Sequence, residues 1–302
     1  MSLCKWKLFS FSLTVRGHHE KRKGLILKGI NREGRVGWGE ISPLPGWSSE
    51  TLEMAREQVL QLINGVKVER IYPSVSFGLS SLFFQLSSSL EVISLPVSAF
   101  LSGSADAIVK RAEEAKENGF HSAKLKIGHL DKKVAQSLIR ELKKDFSLRV
   151  DLNRSFTCRE ALDFFSPFTP EDFDYIEEPI SDVENLSAFP YPVALDESLR
   201  EGRVVSPLHL KALIIKPSLH DGWQQLSQKE QIVLSSAHES GVGIFHIGSL
   251  IASCGLPKNP LGIDTYHLLE NDILTSRLSF SDGMVHLPAH LSVDEERLCE
   301  LS

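Results

Sequence analysis

The chain has 302 residues, of which 42% are hydrophobic and 24% are charged. This length allows one large domain and a smaller one, and this composition is typical of a globular protein with a substantial core. The formal net charge of -6 provides no basic field for phosphate groups, so we expect no nucleic-acid partner.

The cysteines and the apolar runs predict neither a disulfide framework nor a membrane segment. The four cysteines are far apart and form no CxxC pair, which indicates free thiols in a reducing compartment. The first 15 residues alternate in polarity, and no stretch approaches the roughly 20 apolar residues that a membrane helix needs. We therefore expect a cytoplasmic protein with no membrane contact.

Residues 1–95 are predicted to form a small α+β capping domain. Residues 9–15 alternate between apolar and polar, and the runs 25–30 and 36–41 can pair with them as an antiparallel meander. A helix start at residues 48–50 precedes an apolar stripe that ends at Gly65. This order of elements differs from the repeat that follows.

From residue 96 to residue 277, helix and strand patterns alternate, which predicts a parallel β/α barrel. The predicted strands are residues 122–127, 147–151, 174–177, 192–196, 211–216 and 242–247. A seventh or eighth strand is expected to be irregular. The tail, residues 278–302, is expected to return to the capping domain.

Five charged residues follow one another at intervals of 19 to 26 residues, each at the end of a short apolar run. They are Lys126, Asp151, Glu177, Asp196 and Lys216. Because this interval is the period of a strand-helix-strand unit, all five are predicted to lie at one end of the barrel. A single acid at a strand end is more often a helix cap or a solvated loop residue. Three on consecutive strands favour a functional site.

The first barrel strand carries two lysines on one face. Successive strand residues point to opposite sides, so Lys124 and Lys126 face together while Ala123, Leu125 and Ile127 face the helices. Two neighbouring, partly buried ammonium groups repel each other, so we expect the pKa of at least one to fall and allow it to act as a base. The competing interpretation is a surface strand with solvated lysines.

Two strands end in adjacent acids, and alternation allows only one acid of each pair to face the barrel axis. The pairs are Glu177 with Glu178 and Asp196 with Glu197, and parity alone does not choose between their members. Pro179 is expected to hold Glu178 in extended geometry.

Together these residue types indicate metal-assisted proton transfer. Crowded carboxylates need a cation, and a set of three with oxygen ligands is typical of Mg²⁺. A lysine beside the metal can take the proton next to a substrate carboxylate, and a second lysine can stabilise the resulting enediolate. Lys216 is the only charge in the apolar run from Ala212 to Pro217, although a lysine extending to solvent is an equally good interpretation of that position.

The sequence resembles the enolase superfamily, muconate-lactonizing subgroup, and within it the o-succinylbenzoate synthase family. The segments that carry the resemblance run in the same order over most of the chain. They are WGEISPLPGWSSET at 38–51, PSVSFGLSS at 73–81, KLKIG at 124–128, VDLNRSF at 150–156, IEEP at 176–179, ALDESLRE at 194–201, IIKPS at 214–218 and GIDT at 262–265.

The resemblance implies a modified TIM barrel of the (β/α)7β type with an N-terminal capping domain. It implies Mg²⁺, or Mn²⁺, bound by Asp151, Glu177 and Asp196, and so chooses the first acid of each pair. The implied reaction is the syn dehydration of 2-succinyl-6-hydroxy-2,4-cyclohexadiene-1-carboxylate in menaquinone biosynthesis. Capping loops around residues 16–24 and 43–50 should close the pocket over this small carboxylate substrate.

The resemblance also implies individual roles. Lys126 becomes the base that takes the α-proton and returns a proton to the departing hydroxyl, and Lys216 stabilises the anion from the other face. Lys124 keeps Lys126 neutral. The residues implied to orient ligands or contact substrate are Arg149, Asn153, Gly248, Ser249 and Gly262.

Two positions depart from the family pattern. The end of the seventh strand reads HIGSLI at 246–251, and Ile251 takes the place of the acid that follows a serine-rich segment in relatives. His246 could be a proton shuttle on that strand, but a packed core histidine is the better interpretation.

Two other functions fit the same residues. One is a racemase or epimerase of N-acylamino acids or dipeptides that uses Lys126 and Lys216 as opposed bases. The other is a barrel that binds a ligand without turnover. The capping segment favours the synthase, and the complete set of five charged residues opposes the non-catalytic interpretation.

Overall fold

A computed structural model describes residues 5–17, 19–88, 91–202, 207–226 and 231–301. The strands are β1 Lys5–Leu13, β2 Arg22–Ile30, β3 Val36–Ile41, β4 Ile93–Pro96, β5 Ser98–Leu101, β6 Ser122–Lys126, β7 Ser147–Asp151, β8 Tyr175–Glu177, β9 Val193–Leu195, β10 Leu210–Ile215, β11 Ile232–Leu234, β12 Ser279–Ser281, β13 Met284–Leu287 and β14 Cys299–Leu301. The α-helices are α1 Leu52–Ile63, α2 Pro73–Ser87, α3 Ala105–Glu117, α4 Lys132–Leu142, α5 Cys158–Phe165, α6 Glu197–Arg200 and α7 Gly241–Ser253.

The N-terminal sheet is the predicted antiparallel meander. Strands β1, β2 and β3 pair in sequence order, and β14 joins the free edge of β1. Helix α1 begins after Thr51, whose hydroxyl accepts a hydrogen bond from the amide of Met54. Helix α2, which the sequence patterns did not predict, packs so closely on β3 that a Cβ atom at Gly39 would collide with the backbone of Gly78.

Seven parallel strands form the second and larger sheet, in the order β11, β10, β9, β8, β7, β6, β5. A short irregular segment closes this sheet into a barrel. Leu261 pairs in parallel with Val97 just before β5, and Gly262 pairs in parallel with Ser235 just after β11. The segment takes the place of the eighth strand, so the fold is the predicted modified TIM barrel.

One predicted strand is wrong. Residues 242–247 lie inside helix α7, which begins after Ser240 and is buried on nearly all sides. The seventh barrel strand is instead β11, ten residues earlier. A helix buried all round has apolar residues on every face, so its sequence shows the same continuous apolar run as a buried strand.

The C-terminal tail returns to the first part of the chain at two places. Strand β13 pairs with β4, and β14 pairs with β1. The division into a capping domain and a barrel at residue 95 stays a prediction. Among the residues described, no helix has the length and apolar character needed to cross a membrane.

A buried carboxylate joins the N-terminal sheet to the barrel. Glu40 on β3 is fully buried and accepts hydrogen bonds from the amides of Ser240 and Gly243, at the start of α7. The hydroxyls of Ser240 and Ser42 also donate to it. The carboxyl group therefore lies at the N-terminal end of α7, where the helix dipole favours its ionised form, while burial and Glu239 raise the pKa of Glu40.

We expect Glu40→Gln to lower the free energy of unfolding by about 1–3 kcal/mol, because an amide nitrogen cannot accept these hydrogen bonds. Urea unfolding followed by circular dichroism measures the change. Glu53→Gln, at an exposed site on α1, is the matched control and should stay within about 0.5 kcal/mol of wild type. Equal stability of the two variants would contradict the role of Glu40.

Candidate active site

A cavity of about 250 Å³ opens at the C-terminal ends of the barrel strands. Seven of the predicted site residues line this cavity: Lys124, Lys126, Asp151, Asn153, Asp196, Lys216 and Gly262. Glu177 is 1% exposed and contacts Lys124 next to the cavity. The structure thus brings together all five residues of the periodic set.

Strand register explains this convergence. Lys126 on β6 is paired with Asp151 on β7, and Asp151 is paired with Glu177 on β8. Residues in register on adjacent parallel strands point the same way, so the three side chains emerge side by side. Asp196 and Lys216 follow the last residues of β9 and β10.

Two lysines neutralise the buried acids. The Nζ atom of Lys124 lies 3.0 Å from Asp151 Oδ2, donates a hydrogen bond of 2.8 Å to Glu177 Oε1 and lies 2.7 Å from Glu177 Oε2. Lys216 forms an ion pair with Asp196. Although Lys124 contacts both oxygens of Glu177, Oε2 is buried without a hydrogen bond of acceptable geometry.

These contacts shift the pKa values of the lysines upward. Burial alone would lower the pKa of Lys124, but Asp151, Glu177 and Asp196 raise it well above its usual value. Burial also opposes the charged form of Lys216, and Asp196 raises the pKa of Lys216 overall. The pKa of Lys124 therefore rises and does not fall, because the nearby carboxylates outweigh both burial and the repulsion between lysines.

The carboxylates respond in opposite directions. Burial raises the pKa of Glu177 to about 8, against the opposing effect of Lys124. Burial also disfavours the ionised form of Asp196, but the ion pair with Lys216 brings the pKa of Asp196 below its usual value. The acids at this site thus differ in how readily they ionise.

Lys126 differs from the other two lysines. It lines the cavity and is partly exposed. Within the described part of the chain, its ammonium group forms no hydrogen bond and no ion pair, whereas Lys124 and Lys216 are both held by carboxylates. Lys126 is therefore the cavity lysine that is available to a bound molecule.

The two pairs of adjacent acids are arranged differently. Glu177 contacts Lys124, whereas Glu178 turns to the amide of Asp196. Asp196 and Glu197 both line the cavity, and Asn153 donates to Glu197 Oε1 at 3.3 Å. The expected extended geometry of Glu178 is wrong, because its φ is +42°.

Three residues expected to contact substrate or orient ligands lie elsewhere. Arg149 donates to Asp174 and to the carbonyl of Pro260 and packs on the Tyr175 ring. In the part of the chain that the structure describes, it forms no hydrogen bond to Asp151, Glu177 or Asp196. Gly248 and Ser249 lie within α7, where the Ser249 hydroxyl donates to a backbone carbonyl of the same helix. The positions of Gly248 and Ser249 follow from the assignment of residues 241–253 to a helix, and a role of Arg149 in orienting ligands stays a prediction.

His246 is a core residue of α7, as the preferred interpretation predicted. Its ring lies 4.8 Å from that of Phe77, and its Nε2 is 3.1 Å from the Ser80 hydroxyl. Burial lowers the pKa of His246 to about 3. Ile251 is also buried in α7, so it does not replace an acid at the end of the seventh strand.

The sequence analysis missed the cavity residues that follow β11. Ser235, Ser236 and Ala237 line the cavity, and Glu239 is fully buried behind them. This serine-rich segment followed by an acid is the pattern that appeared to be missing. It could have been found by assigning the shorter apolar run IVL to the strand and the longer run after Ser240 to a helix.

A loop of the N-terminal region covers one side of the cavity. Leu44 and Trp47 line it, as the prediction of closure by residues 43–50 requires. The Trp47 ring lies 5.6 Å from Lys216 Nζ, and Arg200 donates a hydrogen bond of 2.6 Å to the Trp47 carbonyl. The other predicted loop, residues 16–24, includes residue 18, which lies outside the described residues.

Comparisons with known proteins agree with this architecture. Residues 6–86 match the family model "MenC, N-terminal domain", and residues 107–211 match "Enolase C-terminal domain-like". The o-succinylbenzoate synthase of Edwardsiella ictaluri is 32% identical over 284 residues, which cover 84% of this chain and 86% of that enzyme. The chain belongs to the o-succinylbenzoate synthase family. This family assignment places it in the enolase superfamily.

Solved structures show the same fold. An o-succinylbenzoate synthase from Thermosynechococcus elongatus, complexed with Mg in its active site, is 21% identical and has a TM-score of 0.71, covering 92% of this chain and 96% of that one. The L-Ala-D/L-Glu epimerase of Bacillus subtilis is 17% identical with a TM-score of 0.75, covering 97% and 98%. At these identities the structures support the fold alone.

We expect Lys124→Met to destabilise the protein by about 3–5 kcal/mol in EDTA, because it leaves Asp151 and Glu177 buried without their cation. Lys126→Met, a matched change two residues away, should alter the free energy of unfolding by less than about 1 kcal/mol. Urea denaturation compares the two variants. Similar losses in both would show that Lys124 does not hold the acids together.

Proposed function

We propose that this protein catalyses the Mg²⁺-dependent syn dehydration of 2-succinyl-6-hydroxy-2,4-cyclohexadiene-1-carboxylate to o-succinylbenzoate in menaquinone biosynthesis. One observation carries the proposal. In a member of this family, Lys126 shares a cavity with buried carboxylates and with a second lysine, Lys216, and has no charged partner among the described residues. Cytoplasmic localisation remains a prediction.

The residues of the site fit a hard divalent cation. Asp151, Glu177 and Asp196 provide carboxylate oxygens, which are the ligands that Mg²⁺ prefers. Glu177 Oε2 is buried and accepts no hydrogen bond of acceptable geometry among the described residues, although Lys124 Nζ lies 2.7 Å away, so this oxygen has capacity to bind a cation. Among the described residues, no group of three His, Cys, Asp or Glu side chains is arranged to hold a metal ion. The ammonium group of Lys124 contacts both Asp151 and Glu177. When bound, Mg²⁺ would draw negative charge onto the substrate carboxylate.

Lys126 performs the proton transfers in this proposal. Its neutral amine takes the proton from C1, the ring carbon that carries the carboxylate, and becomes an ammonium group. The same ammonium group then gives a proton to the hydroxyl on C6 as the C6–O bond breaks and water leaves. Because one group serves both steps, both transfers occur on the same face of the ring, which is the meaning of a syn dehydration.

Lys216 acts from another part of the cavity wall. Its ammonium group stabilises the negative charge that develops after the proton is removed. Burial strengthens that interaction, since the Lys216 side chain is only 16% exposed and is covered by Trp47. Lys124 holds Asp151 and Glu177 through ion pairs. The backbone amide of Asn153 donates a hydrogen bond to Asp151 Oδ1.

The direct test is turnover. Purified protein with Mg²⁺ is mixed with the cyclohexadiene carboxylate, and the change in absorbance is followed with an EDTA control. We expect rapid conversion to o-succinylbenzoate that EDTA abolishes. Folded protein that binds Mg²⁺ but converts no substrate would overturn the proposal.

The roles of Lys126 and Asp196 predict different defects. Lys126→Ala should lower kcat by at least about 10²–10⁴-fold, because it removes the general base, and should leave folding and Mg²⁺ binding unchanged. Asp196→Asn should instead raise the Kd for Mg²⁺ measured by calorimetry. A Lys126→Ala enzyme with a substantial fraction of wild-type kcat would exclude Lys126 as the base.

A second candidate function uses the same two lysines. Lys126 and Lys216 both line the cavity, so they could remove and return an α-proton as the two bases of an epimerase. Incubation of an N-acylamino acid with the protein in deuterated water would then exchange its α-proton. We expect the synthase reaction to be the faster of the two, and exchange without any synthase turnover would reverse this ranking.

A further inference from the structure

The second acid of the IEEP segment has a structural environment of its own. Glu178 is fully buried and does not line the cavity. Its carboxylate accepts four hydrogen bonds, two at each oxygen. Oε1 accepts from the amides of Asp196 (2.9 Å) and Ser198 (2.7 Å), and Oε2 accepts from the Ser198 hydroxyl (2.8 Å) and from Nε of Arg154 (2.7 Å).

These bonds join two neighbouring strand ends. Glu178 directly follows Glu177 at the end of β8, and Asp196 directly follows β9. A carboxylate that holds the Asp196 amide fixes where the Asp196 side chain begins. The position of Asp196 is therefore set by a residue that directly follows β8, the strand that ends with Glu177.

The backbone supports the same interpretation. Glu178 has a φ of +42° although proline follows it, and Asn153 and Arg154 have φ values of +45° and +57°. Left-handed geometry at residues other than glycine is strained and persists where surrounding interactions hold it. Here the amide of Arg154 donates to the carbonyl of Glu178 at 2.9 Å. This hydrogen bond links the left-handed turn at residues 153–154 to the left-handed residue Glu178 and stabilises both.

Arg154 supplies the compensating charge. In addition to Glu178, its guanidinium donates to the Ser198 hydroxyl at 2.9 Å and to both carboxylate oxygens of Glu201 at 3.0 Å. The buried charge of Glu178 is thereby paired without any contribution from the cavity lysines. This arrangement forms a second layer behind the cavity.

We propose that Glu178 is a positioning residue that sets the metal-binding geometry of Glu177 and Asp196. The inference rests on the proposed function, because it takes these two acids as Mg²⁺ ligands. A residue that orients ligands in this way affects metal affinity, and loss of such a partner typically costs 10–100-fold.

Glu178→Gln tests the proposal, because it keeps the size of the side chain but replaces one accepting oxygen with a donor. We expect the Kd for Mg²⁺, measured by calorimetry, to rise about 10–100-fold. Glu184→Gln, the same change at an exposed acid, is the matched control and should keep the wild-type Kd. The melting temperature in EDTA is measured for all variants.

The two measurements separate positioning from general stability. A lower melting temperature in EDTA with an unchanged Kd for Mg²⁺ would overturn the proposal, because Glu178 would then support the fold alone. If Glu178→Gln does not fold, Ser198→Ala decides, since it removes one of the four hydrogen bonds. A raised Kd in that variant supports the proposal and a wild-type Kd overturns it.

Wild-type protein distinguishes this inference from the function on which it rests. If wild type binds Mg²⁺ and Glu178→Gln binds it equally well, the positioning role alone is wrong. If wild type itself binds no Mg²⁺, the proposed function and the positioning role are both wrong.

Discussion

The interaction on which the site depends is the compensation of buried carboxylates by lysines at the ends of parallel strands. Register places Lys126, Asp151 and Glu177 side by side, and burial makes an uncompensated charge on either acid costly. Lys124 satisfies two acids and Lys216 satisfies a third. Lys126 is consequently the cavity lysine that can transfer a proton to or from a bound molecule. This feature makes the C-terminal end of the barrel a candidate active site.

Much of this site could be predicted because strand parity is a strong constraint. In the segment Ala123 to Ile127, only one assignment buries the apolar residues, and it places both lysines in the barrel. The spacing of the acids then indicates that they all lie at the same end of the barrel. The family resemblance added the choice between adjacent acids, which parity left open at Glu177 and Glu178.

The remainder could not be predicted from local pattern. The buried helix α7 and a buried strand produce similar apolar runs, so the sequence predicts Gly248 and Ser249 just after a barrel strand, whereas they lie within α7. The pKa of Lys124 depends on carboxylates from β7 and β8, far away in sequence. Likewise, the left-handed turn at Glu178 is held by partners that follow β7 and β9, and these override the preference imposed by Pro179.

The most direct measurement is a crystal structure of the protein with Mg²⁺ and o-succinylbenzoate. The account predicts one Mg²⁺ bound by Asp151, Glu177 and Asp196, with the product carboxylate beside the ion and its ring between Lys126 and Lys216. A metal ion bound by other residues, or a product that Lys126 cannot reach, would contradict it.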